Sequence, residues 1–194
     1  MQKLMLWERD TPEGHADEEA RLLLLARDKP TAFAPLYERY FPRVYAYCLR
    51  RVGSYEEAED LTSLVFTRAL TNLGSYRGGS VVAWLFRIAH NAVANHLRDR
   101  RPQLPLDTAL HPTSGEDLSA GIVRAEEQKQ LVRLLAALPN EQREILALRL
   151  VGELTAKEIG AVIGKREGAV RVALHRIIRG LRAAYHQTDE EGLR

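Results

Sequence analysis

The chain has 194 residues, of which 45% are hydrophobic and 28% charged, and its formal net charge is +2. This length accommodates one domain or two small ones, and the apolar fraction suffices for a buried core. The apolar runs near the N-terminus, including residues 22–25, are too short for a signal peptide or a membrane span. We therefore expect a cytoplasmic protein without membrane insertion, in which the single cysteine, Cys48, is a small core residue.

Charge is strongly segregated along the chain. Residues 74–101 contain five Arg and one Asp, and residues 164–182 contain six Lys or Arg and one Glu. Residues 102–120 contain three acids and no Lys or Arg, and residues 1–19 contain six acids and two basic residues. Two basic segments in a nearly neutral chain favour two separate contacts with a polyanion, although solvated helix faces would give the same totals.

The apolar spacing is helical nearly everywhere, which predicts an all-α fold. After an N-terminal tail over 1–16, a first unit over 17–101 is expected to hold four helices, over 17–27, 32–52, 54–74 and 80–101. Asp17 and Ser80 are predicted N-caps, and Ser54 forms a capping box with Glu57. Gly53 has the conformational freedom to end the second helix.

The segment 102–120 contains three prolines, acids and small polar residues, which is typical of a linker between units. A second unit over 121–185 is predicted to begin with a helix over 122–138, followed by one that Asn140 caps. Thr155 and Glu158 predict a capping box for a short helix that ends at Gly164. A last helix is expected over 166–185, and residues 186–194 are predicted to form a frayed acidic tail.

A short helix, a glycine-containing turn and a longer basic helix are the layout of a helix-turn-helix. One stripe of the last helix is apolar and is expected to pack against Ile159 and Ile163; it comprises Val170, Leu174, Ile177 and Leu181. The other faces are basic, and Arg in a major groove can bond a guanine edge or grip phosphates. The alternative is a solvated basic helix in a helical bundle, which the compact pattern TAKEIGAVIG before it disfavours.

The helix in SVVAWLFRIAHNAVANHLRDRR, residues 80–101, carries a second candidate nucleic-acid face. Arg87, Asn91 and Arg98 share one side of it, with Asn95 at its edge. Trp84 and Phe86 follow a glycine-rich loop that contains Tyr76 and Arg77. Single strands are held by basic grooves and by rings on which bases stack. A core position is the competing interpretation for both rings, and it is the stronger one for Phe86.

No phosphate-binding loop, nucleophile elbow, paired CxxC or HExxH motif is present in the sequence. His90 and His96 lie on different faces of their helix, and the acids of EEAED lie at a helix start, which the helix dipole favours. We therefore predict no catalytic centre, no metal and no cofactor.

The chain resembles the two-domain extracytoplasmic-function (ECF) sigma factors of bacterial RNA polymerase. The stretch from AFAPLYERYF to NHLRDRR is similar to that family's region 2, and the stretch from LLAALPNEQRE to HRIIRGLR is similar to its region 4. The resemblance implies a sigma region 2 that captures the melted non-template strand of the −10 element. The implied −10 contacts are Tyr76, Arg77, Trp84, Arg87, Asn91, Asn95 and Arg98.

By the same resemblance, region 4 reads the −35 element in the duplex major groove. The implied −35 contacts are Arg166, Arg171, His175, Arg176 and Arg179. The third helix would dock on core RNA polymerase through Asp60, Leu61, Ser63 and Leu64. The chain departs from the family pattern at DLTSLVF, where DLVQEVF is usual, and at GAVRVAL, where GTVKSRL is usual. An anti-sigma factor is a further partner that the resemblance implies.

A conventional helix-turn-helix regulator, binding duplex DNA as a dimer, is the second hypothesis. It leaves the Trp84, Asn91 and Asn95 face unexplained, because a sensing or dimerisation domain needs no second DNA surface. A purely structural helical protein would not explain two basic segments separated by an acidic linker.

Overall fold

The computed structural model describes residues 13–99 and 130–192, with side chains over 17–99 and 130–185. Within these ranges the secondary structure is helical and no strand occurs, so the predicted all-α class is confirmed. The helices are α1 (Glu13–Leu25), α2 (Ala34–Val52), α3 (Tyr55–Thr71), α4 (Val81–Asp99), α5 (described over 130–136), α6 (Asn140–Leu150), α7 (Ala156–Ile163) and α8 (Glu167–Gly192). Short 3₁₀ turns over Pro30–Phe33 and Leu73–Ser75 precede α2 and follow α3.

The first unit is a bundle in which α2, α3 and α4 pack on one another, with α1 along their side. Its core is formed by apolar side chains that recur at helical spacing within each helix. Val44 of α2, Val65 of α3 and Ala89 of α4 are examples, and all three are inaccessible to solvent. Each large apolar side chain that is fully buried contributes about 1.5–3 kcal/mol to folding. Cys48 is also fully buried, and burial raises the pKa of its thiol to about 11, which confirms its prediction as a core residue.

The second unit contains the predicted helix-turn-helix, formed by α7 and α8. The capping box at the start of α7 is complete: the Glu158 amide donates to Thr155 Oγ1 at 3.2 Å, and the Thr155 amide donates to Glu158 Oε2 at 2.8 Å. Gly164 ends α7 with a left-handed φ of +72°, a conformation that costs glycine little. Val170 and Ile177, which belong to the predicted apolar stripe of α8, are buried.

Several predicted boundaries are wrong. Helix α1 starts at Glu13, so Asp17 lies inside the helix and not at its cap. Asn140 is the first residue of α6 rather than its cap, and its Oδ1 accepts a hydrogen bond from Arg51 at 3.1 Å. The backbone of α8 remains helical to Gly192, through most of the predicted tail. The linker 102–120 and residues 122–129 of the predicted fifth helix lie outside the described residues.

The two units are packed against each other. Helix α7 lies along α4, and α6 lies against α2, so the helix-turn-helix covers part of the first bundle. Ser80, whose side chain caps α4 by accepting from the Ala83 amide at 3.2 Å, also donates to Glu158 Oε1 at 2.6 Å. The start of α4 is therefore tied to the start of α7.

Candidate nucleic-acid interface

The solvent side of α8 carries the predicted cationic face. All five side chains of this set are exposed: Arg166, Arg171, His175, Arg176 and Arg179. They lie on the sides of the helix that the buried Val170 and Ile177 leave free. Because α8 is anchored by its apolar stripe and follows the tight Gly164 turn, the direction of its N-terminal half is fixed relative to α7.

An acidic residue that the sequence interpretation passed over lies within this face. Glu167, in the first turn of α8, accepts a hydrogen bond from Arg171 Nη2 at 2.6 Å. Both side chains are substantially exposed, so the pair adds little to stability but orients the Arg171 guanidinium. The i,i+4 spacing of an acid and a base is the signal that could have revealed it.

A second polar face lies on the C-terminal half of α4. Asn91, Asn95 and Arg98 are exposed there, and Arg98 Nη2 donates to Asn95 Oδ1 at 3.0 Å. Arg87, one turn earlier than Asn91, is also exposed, but its Nη2 donates to the Ala161 carbonyl of α7 at 2.6 Å. All four polar side chains therefore lie on one side of α4, and one of them, Arg87, is hydrogen-bonded to α7 of the second unit.

The loop before α4, residues 76–80, is held in place by hydrogen bonds, and one side of it borders a cleft. Tyr76 is buried, and its hydroxyl donates to the Gly79 carbonyl at 2.7 Å, which closes the loop on itself. Arg27, in the turn that follows α1, donates to the Tyr76 carbonyl at 2.8 Å and holds the loop against the end of α1. Gly78 and Gly79 have φ values of +96° and +88°, which other residues rarely adopt. Arg77 is exposed and lines a cleft between this loop and α1.

The two aromatic residues of α4 have different environments. Phe86 is fully buried and meets Tyr47 edge to face at 5.6 Å, so the core interpretation is correct for Phe86. Trp84 is half-buried: its Nε1 donates to Ser75 Oγ at 3.1 Å, and its ring meets Tyr76 edge to face at 5.9 Å. Trp84 thus supports the loop while keeping part of its ring at the surface.

The predicted docking residues of α3 divide into exposed and buried positions. Asp60 and Ser63 are exposed and Leu64 is 38% exposed, whereas Leu61 is in the core at 4%. Beside them lies an apolar patch that the sequence interpretation did not identify, formed by Tyr37, Phe41, Leu64 and Leu70, each about 40% exposed. The aromatic repeat at Tyr37, Phe41 and Tyr45 was a signal for an apolar surface along α2.

A buried acid at the contact between the units was also missed. Glu144 of α6 is 5% exposed, and its carboxylate contacts residues of α2 and α4 in the other unit. Burial alone would raise the pKa of Glu144, but the hydrogen bond with His90 and the charge of Arg51 outweigh it, so the pKa lies below its ordinary value. Glu144 is therefore charged at neutral pH.

Within residues 13–99 and 130–192, no three His, Cys, Asp or Glu side chains are grouped as a metal site would require. No helix in the same ranges is both long enough and apolar enough to cross a membrane.

Comparison with known proteins places both units in one family. The family model for Sigma-70 region 2 matches residues 36–103, and that for Sigma-70 region 4 matches residues 128–180. The chain is 34% identical over 184 residues to the ECF RNA polymerase sigma factor BldN of Streptomyces coelicolor, covering 88% of this chain and 67% of the relative. It is 36% identical over 162 residues to SigD of Mycobacterium tuberculosis, covering 78% of this chain and 76% of the relative.

Two solved structures share the fold. One is CnrH in complex with the cytosolic domain of CnrY, with a TM-score of 0.64 and 21% identity, covering 85% of this chain and 95% of that chain. The other is the sigma factor RpoE with the anti-sigma factor NepR from Bartonella quintana, with a TM-score of 0.63 and 20% identity, covering 78% and 95%. With both family regions in order and relatives above 30% identity, the chain belongs to the ECF sigma factors of RNA polymerase.

Proposed function

We propose that this sigma factor recruits core RNA polymerase through α3, reads the −35 duplex with α8 and captures the melted −10 non-template strand with α4 and the loop before it. It acts in the cytoplasm and performs no chemistry itself, since the polymerase makes the phosphodiester bonds. The observation that carries the proposal is the presence of two exposed polar faces, on α4 and on α8, each supported by the core of a different unit.

Strand capture is assigned to α4 because its exposed groups suit unpaired nucleotides. Asn91 and Asn95 offer amides that can pair with base edges, and Arg98 offers a cation for phosphate. The cleft that Arg77 lines lies between α1 and the loop before α4. Binding energy gained there offsets the few kcal/mol needed to unpair the bases that are captured.

Duplex reading is assigned to α8 by its exposed Arg side chains and its rigid support. Arg171 and His175 lie in the N-terminal half, which in a helix-turn-helix contacts base edges. Arg176 and Arg179 lie farther along the helix, where phosphate contacts are expected. Val172 and Ala173 replace the Ser and Arg that the family pattern has here, so we expect a −35 preference that differs from its relatives.

Polymerase docking is assigned to the exposed patch between α2 and α3. Leu64 replaces the usual acidic residue of the docking motif and adds to the surface formed by Tyr37, Phe41 and Leu70. Asp60 and Ser63 provide a polar edge on the same helix. An apolar centre with a polar rim is the usual anatomy of a protein–protein interface, and Leu61 supports it from inside the core.

The test is initiation by core RNA polymerase on a promoter library, with wild type, Asn91→Ala, Arg98→Ala and Arg176→Ala. Arg133→Ala removes one exposed cation from α5, outside both faces, and is the control. We expect initiation only with the sigma factor present, a loss of about 5- to 100-fold for the α4 and α8 variants, and no change for the control. Duplex binding by the protein alone, without polymerase-dependent initiation, would favour the helix-turn-helix regulator instead.

An anti-sigma factor is proposed as a further partner. The structurally similar RpoE is crystallised with the anti-sigma factor NepR, and this chain shares its fold. Affinity capture from cells under several stresses should recover polymerase and one additional specific protein. Recovery of polymerase alone under every condition would contradict this partner.

A further inference from the structure

An exposed valine lies at the centre of the cationic face of α8. Val172 is 50% exposed, and its neighbours one turn later on the helix surface are His175 and Arg176. By the geometry of an α-helix, it lies roughly 140–160° around α8 from the buried Val170 and Ile177. Val172 is therefore on the side of the helix that points away from the protein, where the proposed function places the −35 duplex.

A glycine leaves the helix surface beside Val172 recessed. Gly168 precedes Val172 by one turn on the same side of α8, and nothing lies within 4 Å of the position that a Cβ would take there. Side chains of a helix lean towards its N-terminus, so the Val172 methyl groups lie over this uncovered backbone. A flat partner can therefore approach both the methyl groups and the helix backbone.

The helix itself gains little from a valine at this position. Val is a weaker helix former than Ala or Leu, and an apolar side chain that is half in water gains little from packing. What the β-branched side chain provides is rigidity, because χ1 of Val in a helix is nearly confined to one rotamer. The two methyl groups of Val172 are therefore presented in one orientation, and a contact that they make loses little side-chain entropy on binding.

The charged side chains around Val172 leave its methyl groups uncovered. Arg171 Nη2 donates to Glu167 Oε1 at 2.6 Å, and Glu167 lies on the side of Arg171 that is away from Val172. The guanidinium is thus held on the flank of α8. His175 and Arg176 continue the exposed face towards the C-terminus. An apolar contact bordered by groups of this kind suits a polyanion that carries a small apolar group on its surface.

We propose that Val172 reads the C5-methyl group of one thymine in the −35 element, an inference that rests on the proposed use of α8 for duplex reading. Among the base edges that the major groove displays, thymine alone presents a methyl group, and an apolar side chain is suited to contact it. The neighbouring cations bind phosphates and polar base edges, whereas Val172 adds discrimination for a T·A pair at one position. Val172 is thus a specificity-determining residue of this sigma factor.

The test replaces each thymine of the −35 element in turn by deoxyuridine, which keeps the base pairing and removes only the methyl group. The promoter is the strongest one that the wild-type holoenzyme selects from the library, made as a fluorescent synthetic duplex. We expect one position at which the wild-type holoenzyme binds the deoxyuridine duplex about fourfold more weakly, the effect of removing one carbon group from an apolar contact. The Val172→Ser holoenzyme should bind the thymine and deoxyuridine duplexes equally at that position.

The matched control is Leu150→Ser, because Leu150 is also an exposed apolar side chain, at 67%, but lies at the end of α6 and outside α8. The L150S holoenzyme should keep the preference of wild type for thymine over deoxyuridine. A converse substitution gives a second readout. With T·A changed to C·G at the position found, 5-methylcytosine should be bound about fourfold more tightly than cytosine by wild type, and equally by V172S.

A scan in which wild type discriminates at no thymine, or a V172S holoenzyme that retains the full discrimination, would overturn the role of Val172. Failure of the proposed function gives a different result. Arg176→Ala would then leave binding of the duplex unchanged, because α8 would not lie at the −35 element. If Arg176→Ala weakens binding while the deoxyuridine scan is flat, α8 reads the duplex and only the methyl contact is wrong.

Discussion

Replacement of Gly160 by Ala tests how the helix-turn-helix is held together. Gly160 lies within α7, where Ala would ordinarily be favoured by about 0.5–1 kcal/mol because glycine loses more backbone entropy. A Cβ at this position, however, would lie 2.5 Å from the Lys165 carbonyl oxygen, which belongs to the turn backbone. The Lys165 amide also donates to the Gly160 carbonyl at 2.9 Å, so the turn folds directly over this residue.

The two contributions have opposite signs, and the steric one is larger. Overpacking against a fixed group costs typically 1–3 kcal/mol, because the turn must move away from α7. We therefore expect Gly160→Ala to destabilise the second unit by about 1–2 kcal/mol. Since the turn sets the direction of α8, duplex binding at the −35 element should fall more than single-strand binding by α4.

The matched control is Gly180→Ala, in the middle of α8, where an added Cβ meets nothing within 4 Å. This variant should be stabilised by about 0.5–1 kcal/mol, the intrinsic helix preference. Amide hydrogen exchange localised to α7 and α8 measures both effects, and each tenfold change in protection corresponds to about 1.4 kcal/mol. If G160A exchanges as slowly as wild type, the close approach of the turn is not a packing constraint and the reasoning fails.

Three further predictions follow from the charges and thiol of the molecule. Because the pKa of Glu144 is lowered, the stability that its carboxylate contributes is complete above the ordinary value of about 4.3 and is lost as the pH falls through the lowered pKa. Acid should therefore lower the melting temperature of the wild type more than that of Glu144→Gln, as measured by thermal unfolding at decreasing pH. Cys48, whose pKa is raised to about 11 by burial, should react with iodoacetamide at pH 8 only after denaturation, and rapid labelling of the native protein would contradict the core placement. Glu167→Gln should change stability by less than about 0.5 kcal/mol yet alter −35 base preference in a promoter library, because Arg171 loses its orienting partner.

Local signals allowed the helix-turn-helix to be predicted from the sequence. Thr155 and Glu158 are three residues apart, and each satisfies a backbone group of the other, so the capping box that begins α7 is formed by residues of its own first turn. Gly164 ends the same helix because its backbone can adopt a positive φ. Asn140 shows the limit of such rules: its side chain bonds to Arg51, 89 positions earlier, and a residue used in that way does not cap its own helix.

Periodicity was less informative about which apolar side chains face water. In α2, Leu36, Tyr40 and Val44 form a buried stripe, while Tyr37 and Phe41 lie one position farther round the helix and remain exposed. Both sets have the same spacing, and only the positions of α3 and α4 decide which is covered. The exposed apolar patch was therefore missed, although the family resemblance implies that α3 docks on the polymerase.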